Sequence, residues 1–186
     1  MRRFRLLPES AGSFIFFFLF LARIEQVLQG SLAAWFLAAQ SGLAAFLLVF
    51  RKPASRSSPW QIQAIAWLSA VVPMTMNIST SPYLSIPGLI LSVWSLAALG
   101  DAFSISPSDR GLVWRGPYRL IRHPMYAGEL LSLLGVCVMS ISIWNWMILA
   151  VFGLSVYMRI MEEETLLDDY YRYACETKWR LLPGAW

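Results

Sequence analysis

Charged residues in this chain are segregated, and that constrains the fold more than any other feature. None falls between Glu25 and Arg51, between Arg56 and Asp101, or between Glu129 and Arg159. A bilayer core of roughly 30 Å needs about 20 consecutive apolar residues in a helix. Residues 57 to 100 have room for two such helices, and residues 130 to 158 for most of two more. Soluble domains carry about 25% charged residues. This chain carries 14%, with 58% hydrophobic residues and a mean hydropathy of +0.55, which excludes an ordinary soluble domain. A cleaved signal peptide would explain MRRFR followed by SFIFFFLFLA. It would leave the later apolar segments unexplained, and Arg23 and Glu25 stand where a small-residue cleavage site belongs.

The apolar segments run from about Ala11 to Gln29, Gly30 to Phe50, Pro59 to Ile78, Ile86 to Phe103, His123 or Pro124 to Ile141, and Ile143 to Met161. Pro73 predicts a kink in the third, and Ser79 to Ser85 a turn. The first segment is interrupted by Arg23, Glu25 and Gln26, so it either spans or lies as a short interfacial helix. With a cytoplasmic N-terminus, every Lys and Arg except Arg23 falls on the cytoplasmic side, a strong positive-inside pattern. The expected fold is all-α: a polytopic integral membrane protein with about five to six transmembrane helices. The net charge of +4 suits contact with anionic lipid heads. Nucleic acid is not an expected partner, because the basic residues border the spans and no known binding fold fits. Cys137 and Cys175 lie far apart in unlike settings and show neither a disulfide framework nor a metal-ligand spacing.

Two polar clusters border the last two apolar segments. The first contains Arg110, Arg115, Arg119, Arg122 and the chain's one histidine, within RHPMYAG (122 to 128). Arg115, Arg119 and Arg122 have the spacing of one helix face. Alone, each arginine reads equally as a topology signal. The second cluster is Arg159 with Glu162, Glu163 and Glu164; Arg159 and Glu163 are one helical turn apart. A solvated helix end is the plain reading of that run. Both clusters emerge on the same side of the bilayer from consecutive helices, which predicts a shared pocket. Charges so near hydrocarbon are functional candidates. A pocket with both signs suits a zwitterionic ligand: arginine for a carboxylate, glutamate or an aromatic face for an ammonium or sulfonium. No GxGxxG, phosphate loop or HExxH occurs.

GLVWRGPYRLIRHPMYAGELL (111 to 131) and RIMEEETLLDDYYRYACETKWRLLP (159 to 183), with the distance between them, resemble the isoprenylcysteine carboxyl methyltransferases and their prokaryotic relatives. That group is itself similar to the phospholipid methyltransferases and, more distantly, to the membrane sterol reductases. The resemblance implies residues 1–103 as N-terminal transmembrane helices and residues 104–186 as a methyltransferase core with a cytosolic C-terminal cofactor pocket. It implies S-adenosyl-L-methionine (AdoMet) as cofactor, S-adenosyl-L-homocysteine as product, and no metal. The implied cofactor contacts are Arg110, Gly111, Leu112, Val113, Tyr118, His123, Pro124, Met125, Tyr126, Glu163 and Glu164. Arg159 is the implied acceptor-facing catalytic residue. Two positions depart from the prenylcysteine enzymes, which carry a histidine at Arg110 and a glutamine near Phe103. Phospholipid methyltransferases often carry asparagine at His123, so the histidine favours the carboxyl methyltransferase branch.

The expected activity is methyl transfer to a carboxylate of a lipidic or isoprenyl-type acceptor, in a prokaryotic inner membrane with the cofactor site facing the cytoplasm. Phospholipid amine N-methylation and small-thiol S-methylation are the alternatives. A sterol-reductase-like oxidoreductase and a non-catalytic scaffold come after them. Membrane lipids and a lipidic or small-molecule acceptor are the expected partners.

Overall fold

The computed structural model describes residues 10–77, 82–184 and 186. The basic MRRFR start and the first three residues of the expected Ser79–Ser85 turn lie outside them, and Tyr83–Ser85 is a 3-10 turn. The described residues form helices α1 (Ser10–Leu28), α2 (Leu32–Phe50), α3 (Trp60–Val71), α4 (Ile86–Leu99), α5 (Pro124–Met139), α6 (Ile143–Leu166) and the short α7 (Tyr170–Glu176). Among them, strand structure is limited to β1 (Arg56–Ser57) paired antiparallel with β2 (Ser108–Asp109). Among the described residues, four stretches are long and apolar enough to cross a membrane: Ala11–Leu28, Leu32–Phe50, Tyr83–Ala102 and Ile143–Leu166. Helix α5 is apolar but has 16 residues, a rise of about 24 Å. Helix α3 is shorter still.

Pro73 ends α3 where a kink was expected. The helix stops at Val71, and Val72–Thr75 forms a 3-10 turn. Proline offers no N–H to the helix ladder and clashes with the carbonyl one turn back. Helix α6 runs past the expected Met161 to Leu166, so the Glu162–Glu164 run is helical rather than a frayed end. At the far end of the bundle, the buried Asn145 amide donates to the carbonyls of Asn77 and Ser140, each at 2.9 Å, and accepts the Asn77 N–H at 2.8 Å. This joins the segment leaving α3 to the start of α6.

The principal helix contacts follow the order α1–α2–α4–α5–α6–α3, so α3 follows α2 in sequence but packs on α6. The α4–α5 seam brings backbone against backbone. A Cβ on Gly128 would lie 2.6 Å from the Ser92 backbone nitrogen, and one on Gly88 would lie 2.3 Å from the Ser132 nitrogen. Small residues let membrane helices approach to backbone contact. Gly128, Ser132 and Gly135 on α5 meet Gly88 and Ser92 on α4 and the Leu84–Ser85 backbone just before it. The glycine of RHPMYAG is therefore a packing residue. Phe14, Phe18, Phe46, Trp94, Val151 and Leu154 face outward, as lipid contact requires of a surface with no water to answer.

Candidate functional site

The segment joining α4 to α5 is stapled to the α2–α3 loop. Gly100, at φ +60, ends α4 in a conformation that favours glycine. Lys52 pairs with Asp101 at 3.1 Å and donates its backbone N–H to the Asp101 carbonyl at 2.8 Å. The β1–β2 pairing follows, with the Arg110 guanidinium donating to the Lys52 carbonyl. Buried Asp109 accepts the Ser55 hydroxyl and, at 3.0 Å, the Gly111 N–H. These contacts order the loop that carries Arg110, Gly111, Leu112 and Val113.

Arg115, Arg119 and Arg122 do not share a helix face. Gly116, at φ +58, and Pro117 restrict the segment to a 3-10 turn, Gly116–Arg119, and Pro124 starts α5 afresh. A residue before proline is pushed out of the helical region. The three arginines separate accordingly. Arg115 Nε donates to the Ala98 carbonyl at 2.7 Å and Arg119 Nε to the Trp114 carbonyl at 3.0 Å. Arg122 turns inward, donating to Tyr170 Oη at 2.8 Å and to the Lys178 carbonyl at 2.7 Å.

The C-terminal tail closes over this segment. Backbone N–H groups of Arg122 and His123 donate to the carbonyls of Trp179 and Arg180 at 2.8 and 2.9 Å. Glu164, on the last turn of α6, is the hub. It accepts two bonds from Arg180 at 2.7 Å each, a longer contact from Arg122 at 3.5 Å, and the Tyr170 hydroxyl. His123 Nε2 lies 3.3 Å from the same carboxylate. Since a carboxylate only accepts, Nε2 carries its proton there, which fixes the ring. Tyr173 Oη donates to the Tyr118 carbonyl at 2.7 Å, and its ring stacks on Trp114.

Between the stapled loop, the start of α5 and the end of α6 lies an open-sided cleft. Arg110, Gly111, Leu112, Val113, Tyr118, His123, Met125, Tyr126 and Glu163 line it; Pro124 and Glu164 lie behind the wall. The Tyr126 hydroxyl donates to Glu163 at 3.1 Å, and His123 Nδ1 is 3.9 Å from the same carboxylate. Burial pushes the Tyr118 phenol well above its usual range, with the Glu163 charge adding to it. Tyr173 is raised by burial, against the pull of Arg122. Tyr170 is raised by burial and by its bond to Glu164. The bonds to Glu164 raise Arg180. All three phenols therefore keep their protons at neutral pH.

Arg159 faces away from this cleft. It lines a second, mostly apolar cavity of about 1230 Å³ of empty space, open sides included, among α1 to α6. Its guanidinium donates to Ser69 Oγ at 3.2 Å and to the Ile105 carbonyl at 2.8 Å, while Nε is buried without a partner. The Tyr126 ring lies against it at 4.7 Å. Met125 lines both spaces. One layer of side chains, Met125 and Tyr126, thus separates a polar cleft from an apolar cavity.

The pairing of RHPMYAG with the glutamate run was readable from two clusters on a predicted hairpin. Ser106, Pro107 and Ser108 on the cleft wall, and the clasp made by Lys178, Trp179 and Arg180, were not anticipated. The loop residues carry no charge. The tail offered only its density of aromatic and basic residues as a signal.

Comparison with known proteins gives one family. The model of the phospholipid methyltransferase family matches residues 76–174, more than half of the chain and the whole of α4 to α6. No curated protein matches the chain. With four membrane-length apolar helices and this family match, the chain is an integral membrane protein that belongs to the phospholipid methyltransferase family.

Proposed function

We propose that this protein is an AdoMet-dependent methyltransferase acting on the polar head of a membrane-resident acceptor. The observation that carries the reading is the thin partition between two unlike spaces. The cleft, bordered by the basic loops, suits a polar cofactor; the cavity among the helices suits an apolar tail. The basic residues gather at the cleft end, which by the positive-inside rule faces the cytoplasm. Six spans, with α3 and α5 as the short ones, accommodate that placement.

The donor set fits AdoMet. Glu163 presents a carboxylate to the cleft for an ammonium or hydroxyl. Arg122 lines the cleft with a buried Nε lacking a partner, which suits a carboxylate. The rings of Tyr118 and Tyr126 offer faces to a sulfonium. When bound, AdoMet supplies an electrophilic methyl group: the sulfur–methyl bond breaks as the acceptor–methyl bond forms, leaving S-adenosyl-L-homocysteine.

The protein's part is to position and to exclude water, which in model systems supplies up to about 7–11 kcal/mol of the barrier. Tyr126 holds Glu163 on the cleft side and packs on Arg159 on the other, so one side chain registers both reactants. Arg159, fixed by Ser69 and Ile105, keeps Nε for the acceptor. A carboxylate acceptor is already ionised and needs no base, and Arg159 orients it. An amine acceptor is the second reading, favoured by the family's phospholipid description. It would first give a proton to Glu163 or His123.

Arg159→Ala is the test. It should abolish turnover or strongly raise the acceptor concentration required, with AdoMet affinity retained. Unchanged turnover and acceptor affinity would remove Arg159 from the reaction.

A further inference from the structure

The cavity among the helices holds a charge that the reaction above does not use. Glu129 is the one acidic residue between Asp109 and Glu162. It stands in the cavity stripe of α5, on the spacing Met125, Glu129, Leu133, Val136, where an apolar residue would otherwise belong. Its carboxyl group makes no hydrogen bond or ion pair with any described residue. Arg159 acts on it through space, but the arginine's hydrogen bonds go to Ser69 and Ile105. A carboxylate facing hydrocarbon with no partner is costly and is rarely retained without a use.

Besides Arg23, whose guanidinium donates to Gln26 at 3.1 Å, the cavity wall therefore carries two opposite charges that share no hydrogen bond: Arg159, whose Nε lacks a partner, and Glu129. Apolar side chains such as Phe16, Leu37, Leu133 and Phe152 make up most of the remaining wall, with Gln40 and Ser41 among its neutral polar members. A purely anionic head would satisfy the arginine and be repelled by the glutamate. A purely cationic head would meet the reverse. A head with both charges on neighbouring atoms satisfies both, and each contact gains from the low dielectric. We propose that Glu129 is the acceptor-recognition residue of this cavity, binding the ammonium group of a zwitterionic amphiphile whose carboxylate lies at Arg159. The proposal rests on the reading that this cavity receives the acceptor, and it names the acceptor class as amphiphiles with an amino-acid-like head.

The test uses the full chain purified in a non-ionic detergent and three matched radiolabelled probes: 2-aminotetradecanoate, tetradecanoate and tetradecylamine. Wild-type protein should bind the zwitterion at least ten-fold more tightly than either single-charge probe. Glu129→Gln should abolish that preference, leaving the zwitterion no tighter than tetradecanoate, and Glu129→Ala should do the same. Equal affinity of the wild type for the zwitterion and tetradecanoate overturns the proposal, as does a preference that survives in Glu129→Gln. The wild-type comparison decides by itself if neither variant folds. AdoMet binding, measured on the same samples by calorimetry, separates the two readings. Its failure in wild type sinks the methyltransferase assignment, while probe selectivity still judges Glu129.

Discussion

Glu164→Gln should release the C-terminal tail from the loop that carries His123. The substitution keeps the length of the side chain and the helix propensity of α6. It removes the charge and turns an amide N–H toward arginine N–H groups that now meet an oxygen. Glu164 is 10% exposed and makes both 2.7 Å bonds to Arg180, which is 28% exposed. Hydrogen bonds to charged groups contribute about 1.5–3 kcal/mol each, but exposed pairs contribute only about 0–1 kcal/mol. Arg180 is half-way between and regains water when freed, so the net loss is about 2–3 kcal/mol. Amide hydrogen exchange reads this directly, because the Arg122 and His123 N–H groups donate to tail carbonyls. At about 1.4 kcal/mol per factor of ten, their protection should fall about 30- to 150-fold, with α5 and α6 amides unchanged. Arg180→Gln should give the same pattern, and the double variant should add little, as expected of partners in one contact. Unchanged protection in Glu164→Gln would refute the clasp. Lost AdoMet affinity with protection intact would instead make Glu164 a direct cofactor contact.

Three further outcomes follow from the same geometry. Gly128→Ala places a methyl group 2.6 Å from the Ser92 backbone nitrogen and 2.7 Å from the Gly88 carbonyl oxygen; overpacking costs about 1–3 kcal/mol. Its thermal midpoint in detergent should drop, and wild-type stability would show that the α4–α5 seam is looser than described. Tyr118, Tyr170 and Tyr173 have folded-state pKa values raised above the unfolded value of about 10. Their contribution is therefore complete below about pH 10 and is lost as pH rises beyond it, because the unfolded chain ionises first. Thermal midpoints should fall above about pH 10, and less so in Tyr173→Phe; an equal fall in that variant would contradict the assignment. Tyr126→Ala and Glu163→Gln should each weaken AdoMet binding by calorimetry, and wild-type affinity in both would refute the cleft as the cofactor site.

The helices were legible because apolar length is a strong signal: α1, α2, α4, α5 and α6 start within a few residues of where charge and turn residues placed them. The exceptions are where a single proline overrode the pattern. Pro73 ended α3, and Pro117 with Pro124 broke the arginine face that the 115–119–122 spacing suggested. The cleft's two halves were legible from RHPMYAG and the glutamate run, because consecutive spans bring their ends together. What spacing does not encode is the direction of a side chain. Glu163 and Glu164 are adjacent, yet one faces the cleft and the other the tail, because a helix turns about 100° per residue. Arg159, one turn before Glu163, points across Tyr126 into the other space for the same reason that its guanidinium finds Ser69 and Ile105 there. The tail's clasp depends on contacts between residues distant in sequence, with no local pattern to announce them.

The central claim is that a cofactor cleft and an acceptor cavity meet at Tyr126. Its most direct test is incubation of the purified membrane-embedded protein with methyl-labelled AdoMet and an acceptor library spanning carboxylates, amines and thiols, with wild type and Arg159→Ala compared. The account predicts label transferred by wild type to an apolar-tailed acceptor, no transfer by the variant, and equal AdoMet affinity in both. AdoMet binding absent from wild type, or transfer undiminished in Arg159→Ala, would contradict it.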